Sequence, residues 1–214
     1  MDPTRRRLLA AAGAAGAVGV AGIAVTRDGH SRHTAPAAQR SKGATARSTD
    51  RFGLGDAGIA NFLLTLQRIE RDVYRRALAS GTARGGTRDL LAGFEAQEAR
   101  HVARLERAVA DLGTRTVRPP RIELPLTSAA AFVQFAATTE GLVAAACLGQ
   151  MRAIDTKPLL EAVLAIHTVD ARHAGALSML AGLDPAPEGA LAQPADAASV
   201  LAKLRPILLR GPVA

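Results

Sequence analysis

A short phrase that occurs twice limits the fold of this 214-residue chain more than any other feature. Residues 98–101 read Glu-Ala-Arg-His and residues 170–173 read Asp-Ala-Arg-His, so each phrase places an acid and a histidine on one face of a helix. Both pairs fall within apolar stripes, where an acid and an imidazole are costly to bury unless something binds them. Two such pairs on two helices are what a carboxylate–histidine metal site inside a four-helix bundle requires.

The composition favours helices and excludes several classes of protein. Aromatic residues make up only 3% of the chain and Trp is absent, so the core must be built mainly from Ala, Leu, Val and a few Phe. Helices pack well with these residues, whereas a sheet would use more β-branched and aromatic ones. Of the formal net charge of +8, residues 1–37 contribute +3, and the remaining +5 comes mainly from Arg spread among acids along helices, without the interleaved aromatics of a nucleic-acid-binding surface. The single cysteine, Cys147, excludes an intrachain disulfide.

The amino terminus has the layout of an export signal. A basic cluster that includes Arg5 and Arg6 precedes a weakly apolar run of Ala, Gly and Val, and the segment resembles a twin-arginine signal. Residues 1–37 are therefore predicted to engage the twin-arginine export machinery and to send the protein across the cytoplasmic membrane, to the periplasm, the cell envelope or the medium. The alternative is an uncleaved anchor, because residues 8–25 would form about 27 Å of helix. Their Gly and Ala content favours cleavage. Residues 38–52 are predicted to be a flexible linker.

Capping and breaking residues predict four long helices and one short one. We expect the first from Asp56, as its N-cap, to Ser80, with Gly81 just past its end. The other long helices are expected from Thr87 to before Gly113, from Ser128 to Gln150, and from Thr156 to Gly182. Asp196 would cap a short last helix over residues 197–204.

The connection between the second and third helices is too long for a simple hairpin loop. Residues 114–127 contain three prolines, which indicates the single-crossover bundle topology. The predicted fold is therefore all-α: a four-helix bundle with a long crossover between helices 2 and 3 and a short C-terminal helix. This domain is expected to span residues 53–206, followed by a tail over residues 207–214.

Every predicted helix of the bundle presents a polar group to the centre. The candidate ligands are Glu70 on the first helix, Glu98 and His101 on the second, Glu140 on the third, and Asp170 and His173 on the fourth. Gln67 and Tyr74 share the face of Glu70, and His167 lies one turn before Asp170 as a partner or rim residue. Carboxylates with imidazoles suit iron, manganese or zinc better than calcium, and a bridging carboxylate can hold two ions. The alternative is a core whose acids and histidines pair with each other and bind nothing.

Several segments resemble the ferritin-like superfamily. They are residues 59–66 running into Tyr74, the phrase at 98–101, residues 140–144, and residues 171–174. More narrowly, the chain resembles exported bacterial ferritin-like domain proteins that are related to plant desiccation-related proteins. The resemblance covers residues 53–206 and implies the same crossover bundle around a metal centre.

The resemblance also implies which positions hold the metal. Glu98, His101, Glu140 and His173 match the ligand pattern of the family. The family has a glutamate seven residues before the tyrosine, where this chain has Gln67, and a glutamate where this chain has Asp170. These two departures argue against a symmetric di-iron centre and leave open one metal, an asymmetric pair or none, with Glu70 as a substitute ligand.

The resulting expectation is an exported bundle that binds one or two iron or manganese ions. If the metal is redox-active, it would oxidise ferrous iron or consume oxygen or peroxide, as an oxidase or in a metal- or stress-protection role. The alternative function is a metal-free structural or partner-binding bundle of the cell envelope. No nucleic-acid partner is expected, and a membrane would be contacted only through an uncleaved signal. The sequence leaves the oligomeric state open, a homo-oligomer included.

Overall fold

The computed structural model describes residues 49–124 and 128–208, and these form five α-helices and no β-strand. The helices are α1 (Gly55–Ser80), α2 (Gly85–Asp111), α3 (Ala129–Met151), α4 (Lys157–Leu180) and α5 (Ala197–Leu204), and a 3₁₀ turn (Arg205–Ile207) follows. The prediction of an all-α bundle with a short C-terminal helix is confirmed. The predicted signal over residues 1–37, most of the linker and the last residues of the tail lie outside the described residues.

Two helical hairpins form the bundle. α1 packs most extensively against α2 and α3 against α4, while smaller contacts between α1 and α3 and between α2 and α4 join the hairpins. The crossover between them is fastened to α1 by Asn61. Its amide Nδ2 donates to the carbonyl of Arg115 at 3.1 Å, and its Oδ1 accepts from the backbone N–H of Val117 at 3.0 Å. The long connection is therefore held against the bundle by partly buried polar contacts.

The helix ends lie within about two residues of the predicted ones, but the N-caps of α1 and α2 differ, since α2 begins at Gly85 after Arg84 and not at Thr87. Gly81 ends α1 in the left-handed conformation, with φ of 68°, and the Asp196 carboxylate caps α5 by accepting from the backbone N–H of Ser199 at 2.8 Å. The prediction that Asp56 caps α1 is wrong, because the N-cap is Leu54. The Asp56 carboxylate instead accepts from the backbone N–H groups of Asp155 and Thr156, at 2.9 and 2.8 Å, where α4 begins.

α3 is the most apolar helix of the bundle. By length and composition it is the one helix among residues 49–124 and 128–208 that would suffice to cross a membrane, and 56% of its apolar window is buried within the protein. A helix that is largely buried in a protein core has the same length and composition, and α3 contacts α1, α4 and α5. Its apolarity is thus explained by its position in the core.

The C-terminal segment docks on α3 at a glycine. The backbone N–H of Ala195 donates to the carbonyl of Ala145 at 2.9 Å, and a Cβ placed on Gly149 would lie only 2.1 Å from the carbonyl oxygen of Ala195. Only a residue without a side chain permits this approach. α5 then buries Ala197, Val200 and Leu204 in the core.

Candidate metal centre

The predicted ligands from all four long helices meet in the middle of the bundle. Helical spacings of three and four residues bring the polar groups of each helix to its inner face. Eight of them are buried there, at 9% exposure or less: Gln67, Glu70, Tyr74, Glu98, His101, Glu140, Asp170 and His173. The sequence-predicted set is therefore brought together in one place, with the exception of His167.

Glu98 occupies the middle of the cluster, between the two imidazoles. Its Oε2 lies 3.1 Å from Nδ1 of His101 and its Oε1 lies 3.2 Å from Nδ1 of His173. Both rings therefore present the same nitrogen to the same carboxylate. Glu98 divides the centre into two halves, one around each histidine.

The half around His173 contains four groups of the types that can ligate a metal. One donor atom from each of Glu98, Glu140, Asp170 and His173 lies within 4.8 Å of the other three. Each residue has a buried side-chain atom that makes no well-formed hydrogen bond: Glu98 Oε1, Glu140 Oε2, Asp170 Oδ1 and His173 Nδ1. Two of these atoms, Glu98 Oε1 and His173 Nδ1, lie 3.2 Å apart, which is an ion-pair distance. Buried polar atoms left unpaired are costly, and three carboxylates with one imidazole suit a divalent transition metal. The residues of this half therefore fit a metal ion.

The half around His101 has a different donor set. Nδ1 of His101 lies 2.9 Å from Gln67 Oε1, 3.1 Å from Glu98 Oε2 and 3.3 Å from Asp170 Oδ1. A ring nitrogen carries at most one hydrogen, so it cannot satisfy three oxygens at once. Three oxygens and one nitrogen converge here, and their lone pairs could bind a cation in this half too. The amide oxygen of Gln67 takes the place that Glu140 has in the other half.

Gln67 is held in one orientation by two carboxylates. Its Nε2 donates to Asp170 Oδ2 at 2.8 Å and to Glu70 Oε2 at 3.0 Å. The reverse orientation would set the amide oxygen against two acceptors, so Oε1 must be the atom that faces His101. Gln67 thus offers the centre a neutral oxygen, and its amide nitrogen links Glu70 to Asp170.

Glu70, expected as a substitute ligand, turns one oxygen to this amide. Its other oxygen, Oε1, is buried without a partner. Burial, and then the charges of Glu140 and Asp170, raise the pKa of Glu70 well above its usual value. Glu70 is not among the four residues whose donor atoms cluster around His173, and its role as a ligand stays a prediction.

The two remaining candidates differ in their distance from the centre. Tyr74 donates a short hydrogen bond to Glu140 Oε1, so it directly supports a candidate ligand. Burial and the neighbouring charge of Glu140 raise the pKa of the Tyr74 phenol, which keeps its proton. His167 is half-buried, and its Nδ1 lies 2.9 Å from the backbone carbonyl of Ala144. It therefore contacts the backbone of α3.

A comparison with known families agrees with this geometry. The model of the ferritin-like domain family matches residues 55–183, which is more than half of the chain and includes α1 to α4 with the whole centre. The chain belongs to the ferritin-like domain family. No curated protein matches its sequence. The resemblance to the ferritin-like superfamily is thereby confirmed, while the narrower relation to exported and desiccation-related proteins stays a prediction.

In the ferritin-like domain, buried acids hold protons on both imidazoles. Burial would lower the pKa of His101, yet the hydrogen bonds and charges of Asp170 and Glu98 raise it to about 10. Burial would likewise lower the pKa of His173, but Glu140 and Glu98 raise it to about 9. Burial would raise the pKa of Glu98, but the proximity and the charges of the two imidazoles lower it. Without metal, two imidazolium charges therefore balance the carboxylates, and a divalent cation would displace their protons.

One residue of the ferritin-like domain escaped the sequence reasoning. Oε1 of Gln97 lies 3.1 Å from Nε2 of His173, and the ring of Phe94 stacks on the same imidazole with centroids 3.9 Å apart. A hydrogen bond at Nε2 fixes which ring nitrogen faces the centre, as outer partners of metal-binding histidines do. Gln97 lies on the exposed edge of α2, so no periodic pattern could have singled it out. Only its place next to Glu98 hinted at a role.

Proposed function

We propose that this ferritin-like protein binds iron or manganese in an asymmetric centre. A tighter position would be held by Glu98, Glu140, Asp170 and His173. A weaker one would be held by His101 and the amide oxygen of Gln67, with Glu98 and Asp170 shared between the two. The observation that carries the proposal is the convergence of four buried ligand-type atoms around His173, within 4.8 Å of one another and none of them in a well-formed hydrogen bond. A neutral amide in place of an anionic ligand weakens the second position.

The chain's own residues prepare the tighter position. The bond from Tyr74 occupies one oxygen of Glu140 and leaves the other, Oε2, free for a metal. Gln97 holds Nε2 of His173, so Nδ1 faces inward with its lone pair once its proton is released. Bound iron or manganese would supply redox chemistry with oxygen or peroxide. We propose oxidation of ferrous iron or consumption of peroxide as the activity, in a metal- or stress-protection role.

Export is part of the same proposal. Its support is the basic cluster with Arg5 and Arg6 ahead of the weakly apolar run. We expect the full chain to reach the far side of the cytoplasmic membrane, and an Arg5→Lys, Arg6→Lys variant to remain inside. Cell fractionation with an antibody against the folded domain measures this, and equal distribution of the two proteins would contradict the twin-arginine assignment.

The rival function is a metal-free structural or partner-binding bundle of the cell envelope. It is favoured by Gln67, whose amide nitrogen donates hydrogen bonds to Glu70 and Asp170 without any metal. The ion-pair distances between Glu98 and the two imidazoles favour it as well. These contacts show how such a core can persist while it binds nothing.

Metal content decides between the two functions. The full chain would be loaded without oxygen with ferrous iron, and separately with manganese, then desalted and measured by elemental analysis. We expect at least one ion per chain, lost in Glu98→Gln and kept in Glu95→Gln. Glu95 is a fitting control because it lies one turn away on α2 and pairs with Arg71 outside the cluster. Equal metal in both variants, or negligible metal in the parent, would overturn the proposal; circular dichroism establishes that each variant is folded.

A further inference from the structure

A pocket between α2 and α4 opens directly onto the metal centre. Its volume is about 370 Å³, and its walls include Arg100 and Arg104 from α2 and Glu161 from α4. These three residues are exposed, whereas His101 is the buried polar residue of the lining. The pocket therefore connects solvent to one candidate ligand of the centre.

His101 is the part of the centre that solvent can reach. Its side chain is 11% exposed, against 3% or less for Glu98, Glu140, Asp170 and His173. Nδ1 of His101 faces the inner oxygens, so Nε2 is the nitrogen left for the pocket, and it makes no hydrogen bond with any residue of 49–124 or 128–208. With a metal on Nδ1, Nε2 must carry the ring hydrogen and can donate it outward.

The charges around the pocket are predominantly positive. Arg100 makes no hydrogen bond or ion pair within the part of the chain that the structure describes, and Arg104 uses one nitrogen to donate to the carbonyl of Pro158 at 3.3 Å. The single acid of the lining is Glu161. Its Oε1 lies 3.6 Å from Nζ of Lys157, so the lysine partly balances its charge. Two guanidinium groups with free N–H groups beside a ring N–H form a donor set suited to an oxyanion.

We propose that this pocket binds a small oxyanion of the phosphate or carboxylate class. Arg100 and Arg104 hold the anion, and Nε2–H of His101 donates to it as the innermost contact. Such a contact changes the strength of the imidazole as a ligand at Nδ1, so anion and metal binding are coupled, and each changes the affinity of the other by the same factor. This coupling rests on the proposed metal site, whereas the pocket and its arginines do not.

The test uses inorganic phosphate as the probe and the full chain as the protein. Isothermal titration calorimetry would be run on chelator-treated protein and on manganese-loaded protein. The test variant combines Arg100→Gln with Arg104→Gln and removes two positive charges. The control variant is Arg107→Gln, which removes one positive charge at an exposed position of α2 outside the pocket. We expect the double variant to bind phosphate at least tenfold more weakly, and Arg107→Gln to bind like the parent.

The outcomes separate this inference from the proposed function. Absent phosphate binding in the parent, or equal weakening in Arg107→Gln, overturns the pocket even if manganese binds. Phosphate binding that depends on the two arginines in a protein that binds neither manganese nor ferrous iron supports the pocket and overturns the metal site. If both ligands bind and manganese leaves the phosphate affinity unchanged, the coupling through His101 is wrong.

Discussion

Replacing Gln67 by glutamate is expected to lower the stability of the metal-free protein and to strengthen metal binding. The amide nitrogen of Gln67 donates to Glu70 and to Asp170, at 3.0 and 2.8 Å, in a fully buried position. A carboxyl group of the same shape carries at most one hydrogen. At least one of the two hydrogen bonds is therefore lost in Gln67→Glu. An oxygen of the new carboxyl group then faces an oxygen of Glu70 or Asp170 with no hydrogen between them.

The magnitude follows from the bond that is lost. A hydrogen bond to a charged group contributes about 1.5–3 kcal/mol, so the metal-free variant should be less stable by about that free energy of unfolding. With metal present the substitution is expected to have the opposite effect on stability. The new carboxylate replaces a neutral amide oxygen that lies 2.9 Å from Nδ1 of His101, and an anionic oxygen is the stronger metal ligand. Manganese should then bind more tightly, and it should stabilise the variant by more than it stabilises the parent.

The assay is urea unfolding followed by circular dichroism, in chelator and in excess manganese, with manganese stoichiometry measured alongside. Gln134→Glu is the matched control, because it makes the same chemical change at an exposed position of α3 and should leave both quantities unchanged. A variant as stable as the parent in chelator would refute the bridging role of the amide. Unchanged manganese affinity would refute the placement of Gln67 in the centre.

Two further predictions concern protons and packing. Because the folded pKa values of His101 and His173 are about 10 and 9, above the ordinary value of 6.5, both imidazoles stabilise the metal-free protein below pH 6.5 and lose this contribution as the pH rises through 9 to 10. Manganese added at pH 7 in weak buffer should therefore release protons, and a titration without proton release would contradict the assignment. Gly149→Ala should cost about 1–3 kcal/mol of unfolding free energy, because its Cβ would collide with Ala195. Gly141→Ala has open space around its Cβ and should be neutral or stabilising, so equal urea midpoints for the two variants would refute this reasoning.

The regular part of the fold and most of the candidate site could be predicted because their signals are local. The two acid-x-x-His phrases lie within apolar stripes of single helices, so spacing alone was enough to predict that Glu98, His101, Asp170 and His173 face the core. The length of the crossover predicted the topology for the same reason.

The features that escaped prediction depend on distant parts of the chain. Asp56 has the residue type of an N-cap for its own helix, yet its carboxylate binds backbone amides about 100 positions later. The orientation of Gln67 is set by Asp170, 103 residues away. Gln97 has a role only because α4 brings His173 beside it, and such a contact leaves no periodic pattern in α2.

The docking of the C-terminal segment has a practical consequence for where this domain can be cut. The family match ends at residue 183, but the chain continues to cover α3 through Ala195 and α5, and Glu123 in the crossover donates its backbone N–H to Ile207 at 2.9 Å. A fragment that stopped at 183 would uncover the part of α3 around Ala145 and Gly149 and release the crossover from Ile207. Such a fragment would expose apolar surface and be prone to aggregate.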